Sequence, residues 1–458
     1  MIRTAASLLA PHRARPGVGC PLRRLASAPP SAWPRSCDVL VVGGGAVGSS
    51  SAYHLKQRAG GELSVAVLEP DPAYTKASTV LSCGNIRQQF SVAENIQLSM
   101  SSFKFLRRAN ELLAVDGQEP PDVGFIPCGY LFLATPEGLE QMKENYELQT
   151  SLGAEVAWLW PRQLRQRYPW LAFGKNVAAG VVGTNNEGRF DPWTLLLGLR
   201  RKAESLGAVY LPARLTGLQY RSQEHDGRDT AAPDAAPART LTTAMVRLRD
   251  GEEREISFST LVVAAGAWSG EVGRLAGLGT GEGALATPIP VEPRKRYFYH
   301  VHAPDGPWEG CPVFNDYTGM TFMPDPRPQH FVAGRSPREE EEPDAGDLEV
   351  DYDFFDTHVW PLMAERSPSF GNLKVKSAWA GYYDYNALDQ NLIIGFHPVY
   401  TNMCLATGMS GHGIQQSPAI GRAVMECVAD GRSHSINLDR FGFGRILNRQ
   451  PLKEKLVM

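Results

Sequence analysis

Short, nearly continuous apolar runs closed by glycine or acid alternate along this chain with longer stretches of helical period. The first run, Val39–Val42, stops at Gly43, and a helix-like stretch follows to about Gln57. A second run, Ser64–Leu68, ends on Glu69. Runs this short and this apolar read as strands buried on both faces, and strand–helix–strand in that order predicts a parallel βαβ unit. The arrangement recurs. Leu261–Ala264 stops at Ala265-Gly266, after a hairpin, "AMVRLRDGEEREISF", whose Asp250-Gly251 is a strong turn signal. Further on, "NMCLATGMSGHGIQQSPAIGRAVMECVADG" repeats strand, glycine loop and helix. Here Ser417 is expected as the N-cap, Pro418 as the first helical residue and Gly431 as the stop. Ile420, Ala423, Val424, Cys427 and Val428 would form the apolar stripe of that helix.

Other runs, "GYLFLAT", "RYFYHVH", "MTFMP" and "HFVAG", have the strand character of an antiparallel sheet. They fall between the pieces of the first fold, so two interleaved domains are expected. An α/β, Rossmann-like domain would combine about 38–105, 186–285 and 386–443. A second, α+β domain on an antiparallel sheet would combine about 106–185 and 286–385, leaving 444–458 as a C-terminal tail. Residues 221–239 are polar and rich in Ala and Pro, which reads as a flexible insertion in a hairpin loop. The acidic run Glu339–Glu342 reads as a solvated face.

Charge changes the picture at one end only. Across 458 residues, 46 Lys+Arg stand against 49 Asp+Glu, a net charge of −3 that disfavours a nucleic-acid partner. Residues 1–37 hold six arginines and no acid; without them 40 basic residues face 49 acidic ones, and the body sits at −9. An Arg-, Ser- and Ala-rich, acid-free leader reads as a mitochondrial transit peptide. The seven cysteines are scattered without a Cys-x-x-Cys, as in a reducing compartment. No apolar run reaches a membrane span, so any membrane contact is expected to be peripheral. No metal motif is present.

The chemistry starts at Gly43-x-Gly45-x-x-Gly48. Gly43 permits the tight turn, Gly45 lets backbone approach a diphosphate, and Gly48 allows close helix–strand packing. The helix start offers free N–H groups and a positive dipole end to the diphosphate. Glu69 stands where an acceptor for ribose hydroxyls belongs, and its charge disfavours a 2′-phosphate. Together these predict a bound dinucleotide.

Five motifs in order, "VVGGGAVGSSSAYHL", "VLEPD…ASTVLSCGNIRQQF", "GRFDPWTLLLGLRRKAESLGAVY", "VVAAGAWSGEV" and "ATGMSGHGIQQSPAIGRAV", resemble the glycine/D-amino-acid oxidase family of FAD flavoproteins. Sarcosine oxidases and dimethylglycine dehydrogenase belong to that family. The resemblance implies FAD in the Rossmann-like domain. Gly43, Gly45, Gly48 and Glu69 would hold the diphosphate and adenosine ribose, and Ser78 and Thr79 would pass the diphosphate. Ala265 and Gly266 would close over the adenosine side. Gly408, Ser410, Gly411, His412 and Gly413 match the loop that passes the isoalloxazine; His412 is not assigned as a base.

The departures carry information too. Leu81 and Tyr382-Tyr383 stand in the two neighbourhoods where the family attaches flavin through histidine or cysteine, so the FAD is expected to be non-covalent. Gln415 replaces the lysine that amine oxidases use for the substrate carboxylate, and Arg87 is the residue expected to compensate. A substrate pocket would be lined by Arg87, Tyr382, Tyr383 and Gln415. No lysine lies near "HFVAGRS" to promote the oxygen reaction, so an electron-transferring dehydrogenase is expected in place of a fast oxidase. "VEPRKRYFY", "FVAGRSPREEEEPD", "LEVDYDFF" and "SAWAGYYDYNALDQN" resemble more closely mitochondrial members that serve assembly of respiratory complex I. That likeness implies a protein of the matrix side of the inner membrane with complex I subunits or assembly intermediates as partners. A matrix dehydrogenase of a secondary amine or amino acid is the alternative.

Overall fold

A computed structural model describes residues 33–174, 176–222 and 238–455. The leader up to residue 32 and most of the polar insertion, 223–237, lie outside the described residues. The first apolar run forms strand β1 (Ser36–Val42), followed by helix α1 (Ala46–Ala59) and strand β2 (Val65–Leu68). Strand β3 (Glu253–Val263) runs parallel to β1 on its other side. Later in the chain come β4 (Val291–His302), β5 (Lys374–Asn386), β6 (Met403–Thr407) and helix α2 (Gly413–Asp430).

The Rossmann-like sheet is parallel through β6, β3, β1, β2 and Val209–Leu211, with β1 in the middle. Ile393–Phe396 adds antiparallel to β6, and the predicted hairpin at Asp250-Gly251 joins Arg239–Leu248 to β3. Side chains alternate across β1. Val39 and Val41 pack with Tyr53, Leu55 and Ile420 on the face covered by α1 and α2. Leu40 and Val42 pack with Leu68, Leu261 and Val272 on the other. Each fully buried aliphatic side chain contributes about 1.5–3 kcal/mol, so a strand buried on both faces anchors the whole layer. The serines of α1 let α2 approach closely: a Cβ on Gly421 would meet Ser50 Oγ at 2.2 Å.

The second sheet runs in the order β5, β4, His330–Arg335, Met320–Pro324, Val313–Asn315, Tyr130–Ala134, Ala179–Gly183, Val156–Leu159. The four runs expected as its strands are all in it. The sheet is antiparallel except at one join, where Val313–Asn315 pairs parallel to Tyr130–Ala134. An aromatic core of Phe314, Phe322, Phe331 and Phe370 backs it.

Two boundary expectations are corrected. Helix α2 starts at Gly413, a turn earlier than expected, and Pro418 lies inside it. Proline lacks the N–H that would reach the Ile414 carbonyl, and Ser417 Oγ donates to that carbonyl instead at 3.1 Å. Ser417 is thus a mid-helix substitute partner and not the N-cap. Gly431 does end the helix, left-handed at φ 82°, its N–H bonded to the Cys427 carbonyl. The second correction concerns residues 444–455, which are not a loose tail. Arg445 is buried against Asp389 at 2.8 Å. Glu454 accepts from the N–H and Oγ of Ser91 and from Asn95 Nδ2, each at 2.6 Å. Asn145, on the second domain's helix Leu139–Ser151, donates to the Lys455 carbonyl at 2.8 Å. The C-terminal segment therefore ties the helix Ala93–Leu106 to the helix Leu139–Ser151.

Candidate functional site

One cavity of about 720 Å³ runs between the carboxyl ends of the parallel strands and the face of the second sheet. At its first end β1 turns into α1 through Gly43, whose φ is 104°. A Cβ there would meet the Ala264 carbonyl oxygen at 2.3 Å, so only glycine lets β1 and β3 close up at this point. A Cβ on Gly48 would lie 1.8 Å from the Gly43 carbonyl, which makes Gly48 a packing residue behind the cavity wall. Gly45 faces the cavity, where its nearest side-chain neighbour is Thr79 Oγ1. That hydroxyl accepts the Ala46 N–H at 3.1 Å and ties the short helix Ser78–Leu81 to the start of α1. Ser78 and Thr79 both line the cavity, as do Ala265 and Gly266 at the end of β3.

Glu69 closes this end. Its carboxylate accepts the Gly44 N–H at 3.0 Å and the Asp71 N–H at 2.8 Å. Burial pushes the carboxyl up to about 7, partly offset by those two N–H donors. A half-buried carboxyl with only two backbone donors has lone pairs to spare for hydroxyl donors in the cavity. The glycine cradle, the free helix N–H groups and this acceptor fit a diphosphate with a ribose beside it.

The loop before α2 forms the other wall. Gly408 and Gly411 are left-handed, and so is Ser410 at φ 48°. The Ser410 strain is held by its own hydroxyl, which accepts the Asn386 N–H at 3.0 Å. Gly408 and Ser410 shape the loop from behind and do not line the cavity; Gly411, His412 and Gly413 do. Asp384, on β5, anchors the loop by accepting the Met409 N–H at 2.9 Å, and burial raises its carboxyl to about 6. Burial and the Arg87 charge push His412 down to about 3, so its imidazole is neutral and no base at ordinary pH. No side chain caps the start of α2, whose first N–H groups open on the cavity.

Arg87, Tyr382, Tyr383 and Gln415 meet in the cavity. Arg87 is 7% exposed, with its guanidinium 4.6 Å from the Phe90 ring centre and 4.9 Å from that of Phe132. It donates to neutral His412 Nε2 at 3.3 Å, and among the described residues no carboxylate lies within ion-pair distance of it. Gln415 Oε1 accepts the Arg87 backbone N–H at 2.9 Å. Gln415 thus holds the backbone at Arg87, so the two residues are joined in the cavity wall. Tyr382 packs edge-on against Trp268 at 5.4 Å. Tyr383 lies under the Arg296 guanidinium at 4.9 Å, and burial pushes its phenol up to about 12.

Several wall residues were not singled out from the sequence. Arg296 reaches the cavity from β4 and Arg335 from His330–Arg335. The acidic run expected as a solvated face supplies their partners. Glu342 pairs with Arg296 through two bonds of 2.9 Å, and Glu341 with Arg335 at 2.8 Å. Glu342 stands 46 residues from Arg296, so no local spacing in the sequence marked that pair. Cys83 also lines the cavity; burial pushes its thiol up to about 12, which keeps it protonated.

Comparison with known proteins agrees with this geometry. The profile described as "FAD dependent oxidoreductase" (DAO) matches residues 38–427. FAD-dependent oxidoreductase domain-containing protein 1 of Xenopus laevis is 46% identical over 430 residues, covering 93% of this chain and 85% of that one. The Bos taurus protein of the same name is also 46% identical, covering 93% and 88%. L-proline dehydrogenase of P. horikoshii shares the fold with a TM-score of 0.73 at 23% identity, covering 92% of this chain and 100% of that one. With an FAD-shaped cradle in place and a family match over most of its length, the chain belongs to the DAO family of FAD-dependent oxidoreductases, and FAD is its cofactor.

Proposed function

We propose that this flavoprotein oxidises a small amino acid or secondary amine that carries a carboxylate, passing electrons onward as a dehydrogenase. Arg87 carries the reading. A buried guanidinium between two aromatic rings, with no carboxylate of its own, invites an anion from the cavity, and a bidentate carboxylate suits its fork. Bound FAD supplies the hydride acceptor. Arg87 would hold the substrate carboxylate, Gln415 would fix Arg87 through its backbone, and Trp268, Tyr382 and Tyr383 would exclude water. The flavin is held without a covalent bond, since Leu81 and Tyr382-Tyr383 provide no attachment. Anaerobic bleaching of the oxidised-flavin band by sarcosine, dimethylglycine or proline tests the activity; a holoprotein that none of them bleaches counts against it. Acid denaturation should release the flavin intact.

A second reading concerns the cellular role. We propose a mitochondrial protein of the matrix side of the inner membrane that serves assembly of respiratory complex I, with its subunits or assembly intermediates as partners. The likeness of "VEPRKRYFY", "SAWAGYYDYNALDQN" and neighbouring stretches, and the Arg-rich, acid-free leader, support it. The test is a loss-of-function cell line re-expressing Gly43→Ala or Gln415→Ala. Full complex I recovery with the flavin-dead Gly43→Ala chain would refute a need for FAD in that role.

A further inference from the structure

The acidic run Glu339–Glu342, which follows the strand His330–Arg335, does not line the cavity, yet it is bound to the cavity wall by charge. Arg296 and Arg335 line the cavity, and both are mostly shielded from solvent, with side chains 15% and 5% exposed. Each is neutralised from behind by that run, Arg296 by Glu342 and Arg335 by Glu341. Glu341 is fixed a second time, accepting the Arg338 N–H at 2.9 Å. Arg87 and Arg296 both act on the Tyr383 phenol, so these cations share one end of the cavity. Of Arg87, Arg296 and Arg335, only Arg87 has no carboxylate within salt-bridge distance among the described residues, its electrostatic counterpart being the buried Glu187.

We propose that Glu341 and Glu342 are specificity-determining residues that limit the substrate to one anionic group. This rests on the Arg87 reading above and names the substrate class of that site. A monocarboxylate meets the one guanidinium left for it. A second carboxylate on the substrate would face Arg296 and Arg335 with their charges already neutralised by Glu342 and Glu341, which stand outside the cavity lining, so it would gain no net cation there. Specificity set by occupying the tempting partner is a device separate from the attraction at Arg87.

The test uses two unreactive anions, methoxyacetate and oxydiacetate, which differ by one carboxylate. Each is titrated into the holoprotein and followed by perturbation of the flavin band. The wild-type protein should bind methoxyacetate more tightly than oxydiacetate. Glu341→Gln/Glu342→Gln keeps the shape and frees both guanidiniums. The oxydiacetate affinity should rise by roughly 10- to 100-fold relative to methoxyacetate, the worth of a charge-assisted bond. An Arg335→Met/Glu341→Gln/Arg296→Met/Glu342→Gln chain removes each pair whole and should return the ratio to the wild-type value. An unchanged ratio in the double glutamine variant, with methoxyacetate still bound through Arg87, overturns the inference. Failure of every chain to bind methoxyacetate overturns the Arg87 reading instead. Should the double variant not load flavin, Glu341→Gln alone makes the same comparison with one freed guanidinium and a smaller shift.

Discussion

Replacing Arg87 by Met separates a ligand-binding cation from a structural one. The wild-type guanidinium is 7% exposed and lies 4.6 and 4.9 Å from the Phe90 and Phe132 ring centres. Those contacts favour the fold by roughly 0.5–2 kcal/mol each. Against them stands the cost of burying a cation with no carboxylate within salt-bridge distance, several kcal/mol, offset in part by its attraction to the buried Glu187. Methionine fills similar space, keeps an aromatic contact and removes the buried charge, so the two changes nearly cancel. Stability should hold steady or rise slightly. Ligand binding should move the other way. Loss of charge-assisted hydrogen bonds to a carboxylate costs about 1.5–3 kcal/mol, or roughly 10- to 100-fold in affinity. Methoxyacetate titration of the flavin band measures one quantity, and thermal melting of the holoprotein measures the other. Two results would refute the reasoning. One is undiminished methoxyacetate binding by Arg87→Met. The other is destabilisation by about 3–5 kcal/mol, the signature of breaking a buried ion pair.

Three further outcomes follow from the same packing. Gly43→Ala puts a Cβ 2.3 Å from the Ala264 carbonyl at a φ of 104°, so flavin per purified chain should fall at least about tenfold, read from the absorbance ratio; full flavin content would show the turn adapts. Burial raises the Glu187 carboxyl to about 7, against hydrogen bonds from Gln88 N–H and Gln89 Nε2, so the folded protein keeps a proton that the unfolded chain loses above pH 4.5. Stability from this group is complete below pH 4.5, falls by up to about 3 kcal/mol as pH rises to 7, and is flat beyond. Glu187→Gln imitates the protonated form, so the drop in urea midpoint between about pH 5 and 7.5 should shrink in the variant; an unchanged drop would assign the titration elsewhere. Glu454→Gln weakens three bonds that hold the C-terminal strap on Ser91 and Asn95, and should lower stability by about 1–2 kcal/mol while speeding proteolysis near that end. An unaltered cleavage rate would mean the strap is held by its other contacts, Arg445 to Asp389 and Asn145 to the Lys455 carbonyl among them.

How much of this was legible in the sequence depends on how far apart the interacting residues stand. Gly43, Gly45, Gly48 and Glu69 could be read because one βαβ unit contains the whole cradle and its spacing is set by strand and helix length. The stripe on α2 was equally visible, since Ile420, Ala423 and Val424 are buried as their period requires. The start of α2 was misread because Ser-Pro is a strong local start signal. The helix is instead initiated by the left-handed Gly408–Gly411 turn, which Asp384 anchors from a strand of the other domain. Arg87 was read as a candidate, but its aromatic walls and its tie to Gln415, 328 residues on, belong to tertiary structure. The acidic run fared worst, because it was judged alone, as a solvated face, apart from the Arg294-Lys295-Arg296 cluster earlier in the chain. Glu342 and Arg296 are 46 residues apart, and their meaning lies in meeting. Charges that pair across a sheet leave no spacing rule behind. The same fact makes them informative once the fold is known. A surface acid run needs no partner, whereas two glutamates spent on two cavity-lining arginines leave a third arginine as the one of the three with no carboxylate within salt-bridge distance among the described residues. Under the proposed specificity, the charge a substrate must bring is set by residues that do not touch it.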